Sequence, residues 1–381
     1  MRCASPTGSL SCPGGGSSHG CPPTRQRRRC CYRLRKGENS RVEAIEVRSK
    51  ERLPATKTVP EWLFRYGAVI TIVGVIAYFS VVNEHFFTYS NLSDILRSIS
   101  IVTFLALGVT FSLVVDGFDV SVGSTTSLAT IAAASALVLH RQELLVALLI
   151  PLLCGVFVGL LNALLIVKLK LPDLLATLAV MYMVNGIQLT YSKGYSIYEG
   201  MPSSVGEQTG RFIPSFKFIG QGELFGVPMP VLLMLAFVLI SYLFLEFTTF
   251  GRRMYMVGGN PEAANLFGIS VSGYRVFAYV VSGLFAALGG ILLASRIGTG
   301  QVSAGAPLLM DAVASAYIGY ALFGEKRPSV VGTLLGSILI GVLLNGLTMM
   351  NVPYFAQDIV KGGILVLALA FSFLRKDPAH R

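Results

Sequence analysis

Long apolar runs separated by short polar segments dominate this sequence from about residue 63 onward. A helix needs about twenty mostly apolar residues to cross a bilayer, whereas a strand of a membrane β-barrel needs only about ten alternating ones. The runs have helical length, so they predict an all-α, polytopic membrane bundle of about ten transmembrane helices. The predicted spans are 63–82, 95–115, 120–139, 144–167, 172–192, 228–247, 276–295, 308–323, 329–350 and 354–374.

Composition points to the same class of protein. Hydrophobic residues make up 53% of the 381 residues, charged residues make up 13%, and the mean hydropathy is +0.65. Soluble domains carry about 25% charged residues. A water-soluble globular enzyme is therefore excluded, and the 40 glycines suit helices that pack closely in lipid.

The first 58 residues differ sharply from the rest. They carry 13 Lys and Arg against 4 Asp and Glu, a net charge of +9, whereas the remaining residues have a net charge of +2. They are also rich in Gly, Ser and Pro, a composition that cannot bury enough apolar surface to fold. We therefore predict a disordered tail over 1–58, a transmembrane domain over 59–375 and a cytoplasmic carboxyl-terminal tail over 376–381.

The amino-terminal tail leaves several interpretations open. It holds five of the six cysteines but no pair with zinc or redox spacing; these are Cys3, Cys12, Cys21, Cys30 and Cys31. A basic tail can bind nucleic acid or anionic lipid, but the simplest interpretation is that it remains in the cytoplasm without a nucleic-acid partner. A further interpretation is that translation begins downstream of residue 1.

Basic residues predict the orientation of the spans. If the tail lies inside, the later inside segments carry ten Lys and Arg and the outside segments carry five. Three of those five lie in the long 193–227 segment, which counts little toward orientation. The distribution predicts that both termini of the chain face the cytoplasm.

Two short segments hint at an internal repeat. Leu160–Leu164 reads LLNAL in the fourth predicted span, and Leu343–Leu347 reads LLNGL in the ninth. An offset of five spans would place the two halves in opposite orientations, as in inverted-repeat transporters. Chance similarity between leucine-rich segments is an equal alternative.

Polar residues interrupt the long apolar stretch between Ile101 and Leu139. Asp116, Asp119 and Ser121 lie there with Gly117 and Gly123. Ionisable groups are costly inside lipid, so the segment predicts a broken helix beside a polar pathway, where carboxylates accept hydrogen bonds from a substrate. The alternative is an ordinary short loop in which Asp119 and Ser121 cap the next helix.

Other polar residues lie within predicted spans. Asn162, Asn185 and Asn345 are candidates for the same substrate pathway. Thr177, Gln188 and Asp311 are further polar residues within spans that can line a pore. For each residue taken alone, hydrogen bonding between helices is the favoured alternative.

The segment 250–269 lies between spans, on the predicted inside face. Arg252 and Arg253 lead it. A short helix is predicted from Asn260 as the cap, Pro261 and Glu262 in its first turn, and Gly268 as its end. These residues predict a docking site for a cytoplasmic partner, and a helix lying on the membrane surface is the alternative.

Motifs for nucleotide and metal chemistry are missing from the sequence. It contains no GxxxxGK[ST] or HExxH pattern, and its four histidines lie away from the middle of any predicted span. We therefore expect no metal site, no catalytic residue and no bound cofactor in this chain.

Several ordered segments resemble one transporter family. Gly117–Gly123 reads GFDVSVG and resembles the G-[IF]-D-[LI]-S-V-G motif of permeases from ribose/xylose-type ABC sugar importers. The segment 251–269 resembles that family's G-R-x-x-Y-x-x-G-G-N-x-x-A-A-x-x-x-G-I loop. Asp311–Ser315 and Gly332–Leu347 resemble its carboxyl-terminal region. The resemblance covers about residues 60–374.

The resemblance implies a bacterial inner-membrane permease that works by alternating access and imports a monosaccharide such as ribose, xylose or galactose. It implies a second permease copy or a homologous permease, a periplasmic or lipid-anchored sugar-binding protein, and a cytoplasmic ATPase that binds ATP and Mg²⁺. The 252–268 loop would be the docking site for that ATPase.

The identity of the solute is left open. Gly319–Pro328 departs from the Gly-Gly-Thr-Ser run of many members, so the resemblance does not fix the sugar. A permease for branched-chain amino acids or another small solute is an alternative. A secondary transporter that uses Asp116 and Asp119 to couple transport to ions is another, and a structural or signalling membrane protein is a third.

Overall fold

The computed structural model describes residues 61–203, 209–322 and 327–374. Within these ranges the chain forms thirteen helices and four two-residue strands. The predicted disordered tail over 1–58 and the predicted tail over 376–381 lie outside the described residues, so both stay predictions.

The helices fall into three groups along the chain. Before the long polar segment lie α1 Glu61–Val82, α2 Tyr89–Val114, α3 Val122–Ala134, α4 Leu144–Ala163 and α5 Asp173–Ser192. The middle of the chain forms α6 Pro214–Gln221, α7 Met229–Tyr242, α8 Thr249–Gly259 and α9 Pro261–Leu266. The last group comprises α10 Val271–Ile297, α11 Ala306–Leu322, α12 Val330–Met349 and α13 Tyr354–Leu374.

Three of the helices continue into a π-helical turn. The turns Ser135–Leu139, Leu164–Lys168 and Leu243–Phe247 extend α3, α4 and α7. The strands are β1 Ile197–Tyr198, β2 Glu223–Leu224, β3 Val227–Pro228 and β4 Thr299–Gly300. β1 pairs antiparallel with β4, and β2 pairs antiparallel with β3 in a hairpin.

Each of the ten predicted spans coincides with one helix. Seven of these helices, with their π turns, are long and apolar enough to cross a bilayer: α2, α3, α4, α5, α7, α10 and α12. The prediction of an all-helical, polytopic membrane protein is confirmed at this level. α2 begins at Tyr89 and α10 at Val271, six and five residues before the predicted starts of these spans. The first turns of both helices are polar, so the apolar pattern did not detect them.

The two longest helices, α2 and α10, form the centre of the bundle. They pack against each other, α2 also packs against α11 and α12, and α10 also packs against α3 and α4. Phe111 of α2 stacks on Phe285 of α10 with ring centroids 5.6 Å apart. Most of α2 and α3 is buried, whereas α4, α5 and α7 expose most of their apolar side chains, as expected for helices that face lipid.

Glycines allow the closest helix contacts. Gly155 and Gly159 of α4 lie directly against the backbone of α10, where a β-carbon on Gly159 would come within 2.7 Å of the Val280 Cα. Small residues four positions apart let helix backbones approach in lipid, where the hydrophobic effect does not drive association. α4 is thereby held against α10, and Asn162 is carried to the site described next.

Candidate functional site

The break between α2 and α3 is shaped by Asp116 and Gly117. Asp116 has a left-handed backbone with φ of +58°, a conformation that Asp tolerates better than most residues. The Asp116 and Gly117 amides close the end of α2 by donating to Leu113 O (3.0 Å) and Ser112 O (2.9 Å). A β-carbon on Gly117 would lie 2.6 Å from the Tyr279 hydroxyl, so any larger residue would displace the Tyr279 side chain.

Asp119 is the centre of a buried polar cluster. Its side chain is 1% exposed. Its Oδ1 accepts hydrogen bonds from Ser121 N (2.9 Å) and Ser121 Oγ (2.7 Å). Ser282 Oγ of α10 donates to Asp119 Oδ2 at 2.7 Å. Asn162 Nδ2 of α4 donates to Ser121 Oγ at 2.7 Å and lies 3.4 Å from Asp119 Oδ1. One carboxylate therefore joins the break to α4 and α10.

α5 holds the break from another side. Its Thr177 hydroxyl accepts from Val120 N at 3.3 Å and lies 3.2 Å from Phe118 O. Asp173, the first residue of α5, accepts a hydrogen bond from the Tyr279 hydroxyl at 2.9 Å. The segment between α2 and α3 is thus fixed by side chains from α4, α5 and α10, and it is not an ordinary exposed loop.

The predicted pathway residues do not form one site. Asp119, Ser121 and Asn162 come together, whereas Asp116 is exposed at the turn. Asn185 accepts from Gln188 Nε2 of the same helix (2.6 Å), and Asn345 donates from α12 to Asn91 Oδ1 of α2 (3.0 Å). These two asparagines therefore make contacts of their own, apart from the Asp119 cluster.

The capping alternative needs a correction. Ser121 precedes α3, but its side chain makes no cap hydrogen bond to the helix. Asp119 accepts from the Ser121 amide, so the carboxylate supports the start of α3 from two residues away. The Asp119 oxygens are occupied by donors of the same chain, so a substrate could reach them only after the cluster opens. Roles for these residues in a substrate pathway stay predictions.

The predicted docking segment forms two helices. Asn260 Oδ1 accepts from Ala263 N at 2.9 Å, Pro261 opens α9, and Gly268 follows the helix with φ of +75°, so the predicted cap, first turn and end are confirmed. The sequence pattern did not predict α8. That helix is capped by Thr248, whose hydroxyl accepts from Gly251 N at 3.0 Å.

One face of this segment is seated on the bundle, and the other is open. Met254, Val257 and Ala264 are buried in the main apolar core. Arg252, Arg253 and Glu262 are exposed. Leu266 and Phe267 are exposed as well, at 89% and 77%, and sequence reasoning missed them. Their signal was an apolar pair immediately before Gly268, after the polar residues Asn260, Glu262 and Asn265.

α8 also touches the break. A β-carbon on Gly258 would lie against the Val114 carbonyl and 3.2 Å from the Asp116 amide, so there is no space between α8 and the end of α2. The open surface of α8 and α9 is therefore in direct mechanical contact with the segment that carries Asp119.

No potential metal site emerges from the described ranges. Across residues 61–203, 209–322 and 327–374, no three His, Cys, Asp or Glu side chains are grouped so that they could hold an ion. The polar cluster around Asp119 consists of one carboxylate, hydroxyls and an amide.

Comparison with known protein families assigns this chain to one of them. The model of the family described as "Branched-chain amino acid transport system / permease component" matches residues 91–369. The chain belongs to this permease family. The predicted membership in a family of transport permeases is thereby confirmed, and the relatives are transport proteins and not enzymes.

Similar proteins carry the names of sugar permeases. The chain is 33% identical to the ribose import permease protein RbsC of Haemophilus influenzae, over 83% of this chain and 95% of the relative. It is 31% identical to the galactose/methyl galactoside import permease protein MglC of Salmonella typhimurium, over 84% and 97%. It is 29% identical to the xylose transport system permease protein XylH of Haemophilus influenzae, over 80% and 94%. No solved structure gives a significant match.

We predict that Asp119→Asn lowers the stability of the permease by about 1–3 kcal/mol, because the hydrogen bonds that the buried carboxylate accepts lose their charge-assisted strength. Solute uptake also falls, while assembly with partner subunits is normal. The thermal midpoint of the purified protein and uptake by reconstituted vesicles measure the two effects.

Asp116→Asn is the matched control for stability, because Asp116 is exposed and asparagine also adopts its left-handed backbone. Its thermal midpoint should equal that of the unmodified protein. A wild-type midpoint together with wild-type uptake for Asp119→Asn would contradict the role given to the cluster.

Proposed function

We propose that this chain is the membrane-spanning subunit of an ATP-driven importer of a monosaccharide. The observation that carries the proposal is that three relatives matched over most of their length are named for ribose, galactose and xylose. Because these names include pentose and hexose systems, the proposal is limited to the class of monosaccharides. The alternative solute is a branched-chain amino acid, after which the family is named.

The proposed subunit crosses the bacterial inner membrane ten times, with both termini in the cytoplasm. The proposal adds α1, α11 and α13 to the seven long apolar helices, since each coincides with a predicted span. The excess of Lys and Arg in the predicted inside segments supports the orientation.

The ten spans form two inverted halves in this proposal. The packing of α2 against α11 and α12 corresponds to the packing of α10 against α3 and α4. α3 packs against α5 in the first half, and α11 packs against α13 in the second. Gly123 and Gly305, at the starts of α3 and α11, lie backbone to backbone. This correspondence supports a repeat more strongly than the two leucine-rich segments do.

In this proposal, the energy of ATP hydrolysis reaches the permease through a partner bound to α8 and α9. A cytoplasmic ATPase, which binds ATP and Mg²⁺ itself, docks on a surface that includes Arg252, Arg253, Asn260, Glu262 and Gly268. Closure of the ATPase pushes α8, and α8 transmits the movement to the end of α2 through Gly258. The break then rearranges and the pathway opens to the other side. A separate binding protein delivers the sugar, and a second permease completes the pore.

Uptake by reconstituted vesicles tests the function. With the cognate ATPase and sugar-binding protein of this proposal, vesicles should accumulate at least one labelled sugar among ribose, galactose and xylose when ATP is present. The chain alone should accumulate none under an ion gradient. Accumulation of leucine in place of all three sugars would overturn the sugar class. Uptake driven by the gradient alone would overturn the ATP-driven mechanism.

Replacing Arg253 and Glu262 together with alanine should weaken capture of the ATPase in a pull-down, because both exposed charges lie on the proposed docking surface. Insertion into the membrane should be unchanged. The matched control is the R211A/E143A pair, which removes the same two charges from exposed positions on the predicted opposite side. Equal capture by both double variants would refute the docking role.

Gly258→Ala should reduce the sugar imported per ATP hydrolysed, because the added methyl group must push α8 away from Val114 and Asp116. Gly259→Ala is the control within the same helix, since a β-carbon there meets nothing within 4 Å. Both substitutions raise helix propensity by about 1 kcal/mol, so that effect cancels. Equal coupling ratios in the two variants would contradict transmission through this contact.

A further inference from the structure

The hairpin formed by β2 and β3 holds an aromatic ring in an unusual position. Its two-residue turn consists of Phe225 and Gly226, with φ of +54° and +75°. Turns of this kind favour Asn, Asp or Gly, because φ is positive at both positions and most other residues, Phe included, are strained there. Phe225 is nevertheless 97% exposed. Within the described part of the chain, the ring therefore has almost no packing contact that would offset this strain.

Side chains of α2 hold the hairpin firmly. Arg97 Nη2 donates to Glu223 Oε1 at 2.9 Å and to the Gln221 carbonyl at 3.2 Å. The Tyr89 hydroxyl lies 3.1 Å from both Glu223 Oε2 and the Gly226 carbonyl. These contacts connect β2 and the turn of the hairpin to the first turns of α2, so the position of the turn is fixed by hydrogen bonds.

The position of the hairpin indicates which environment surrounds the Phe225 ring. α7 begins at Met229, directly after β3, and α2 begins at Tyr89, and both helices are among the long apolar spans. The apex therefore lies where two spans reach the membrane boundary. Exposed apolar side chains continue from it: Phe87 and Tyr89 are each 62% exposed, and Leu235 and Leu239 lie open along α7.

We propose that Phe225 is an interfacial lipid anchor, with its ring inserted between the lipid headgroups and the ends of the acyl chains at the boundary where α2 and α7 begin. Trp and Tyr concentrate at this depth in membrane proteins, and interfacial elements also insert Phe side chains there. Continuity with the open apolar face of α7 favours lipid as the occupant, because the same face already requires an apolar environment. The anchor fixes the depth of the end of α2 that lies opposite the break.

Fluorescence quenching in lipid nanodiscs tests the anchor. Trp62 is the one tryptophan of the chain, so Trp62→Phe gives a silent background into which Phe225→Trp is introduced. Lipids brominated near the glycerol end of the acyl chains should quench the F225W variant, and acrylamide in the water should quench it weakly. Phe267→Trp, on the exposed proposed docking surface, is the aqueous reference and should show the reverse order, with stronger quenching by acrylamide than by lipid.

Three results would overturn the proposal. Strong quenching of F225W by acrylamide without quenching by lipid means that the ring lies in water. Quenching by neither means that protein, such as a second copy or a delivery protein, covers it. Quenching by deeply brominated lipids alone means that the ring lies in the bilayer interior. If F225W does not fold, Phe87→Trp reports on the same boundary and is subject to the same outcomes.

Discussion

A carboxylate removed from water must find hydrogen-bond donors within the protein, and Asp119 meets this constraint with donors from separate parts of the chain. Ser121 supplies two of them, Ser282 supplies one across 163 positions, and Asn162 supports the same group. An unpaired polar group at this depth costs several kilocalories per mole. The position of the break relative to α4 and α10 therefore depends strongly on this one side chain.

Close backbone contact is the second condition for that arrangement. Asn162 reaches the Asp119 cluster because α4 approaches α10 closely at Gly155 and Gly159. A larger side chain at Gly155 or Gly159 would separate the helices and move Asn162 away from Asp119 and Ser121, whose own hydrogen bonds to each other would remain. Packing and polar bonding are thus not independent in this bundle: small residues set the helix spacing, and the spacing makes the hydrogen bonds possible.

The sequence predicted the spans well because the length of an apolar run is a local property. It predicted the cap of α9 for the same reason, since Asn260, Pro261 and Gly268 act on their own neighbours. The sequence could not distinguish Asn162, which belongs to the Asp119 cluster, from Asn185 and Asn345, which do not. All three are single asparagines within apolar runs, and they differ only in their hydrogen-bond partners. The sequence offered Thr177 only as one of several polar residues within spans, and it gave no signal for Ser282. Both lie far from Asp119 along the chain, so only the fold relates them to it.

α2 connects the features that the sequence could not relate. It begins at the hairpin that presents Phe225, and it ends at the turn of Asp116, against α8. Its 26 residues span about 39 Å as one uninterrupted helix. A helix of this length is stiff, so a push at its α8 end cannot be absorbed along it. If the first end is held at a fixed depth by lipid, the movement must appear as a tilt of α2, and the segment most directly displaced by that tilt is the break held by Asp119.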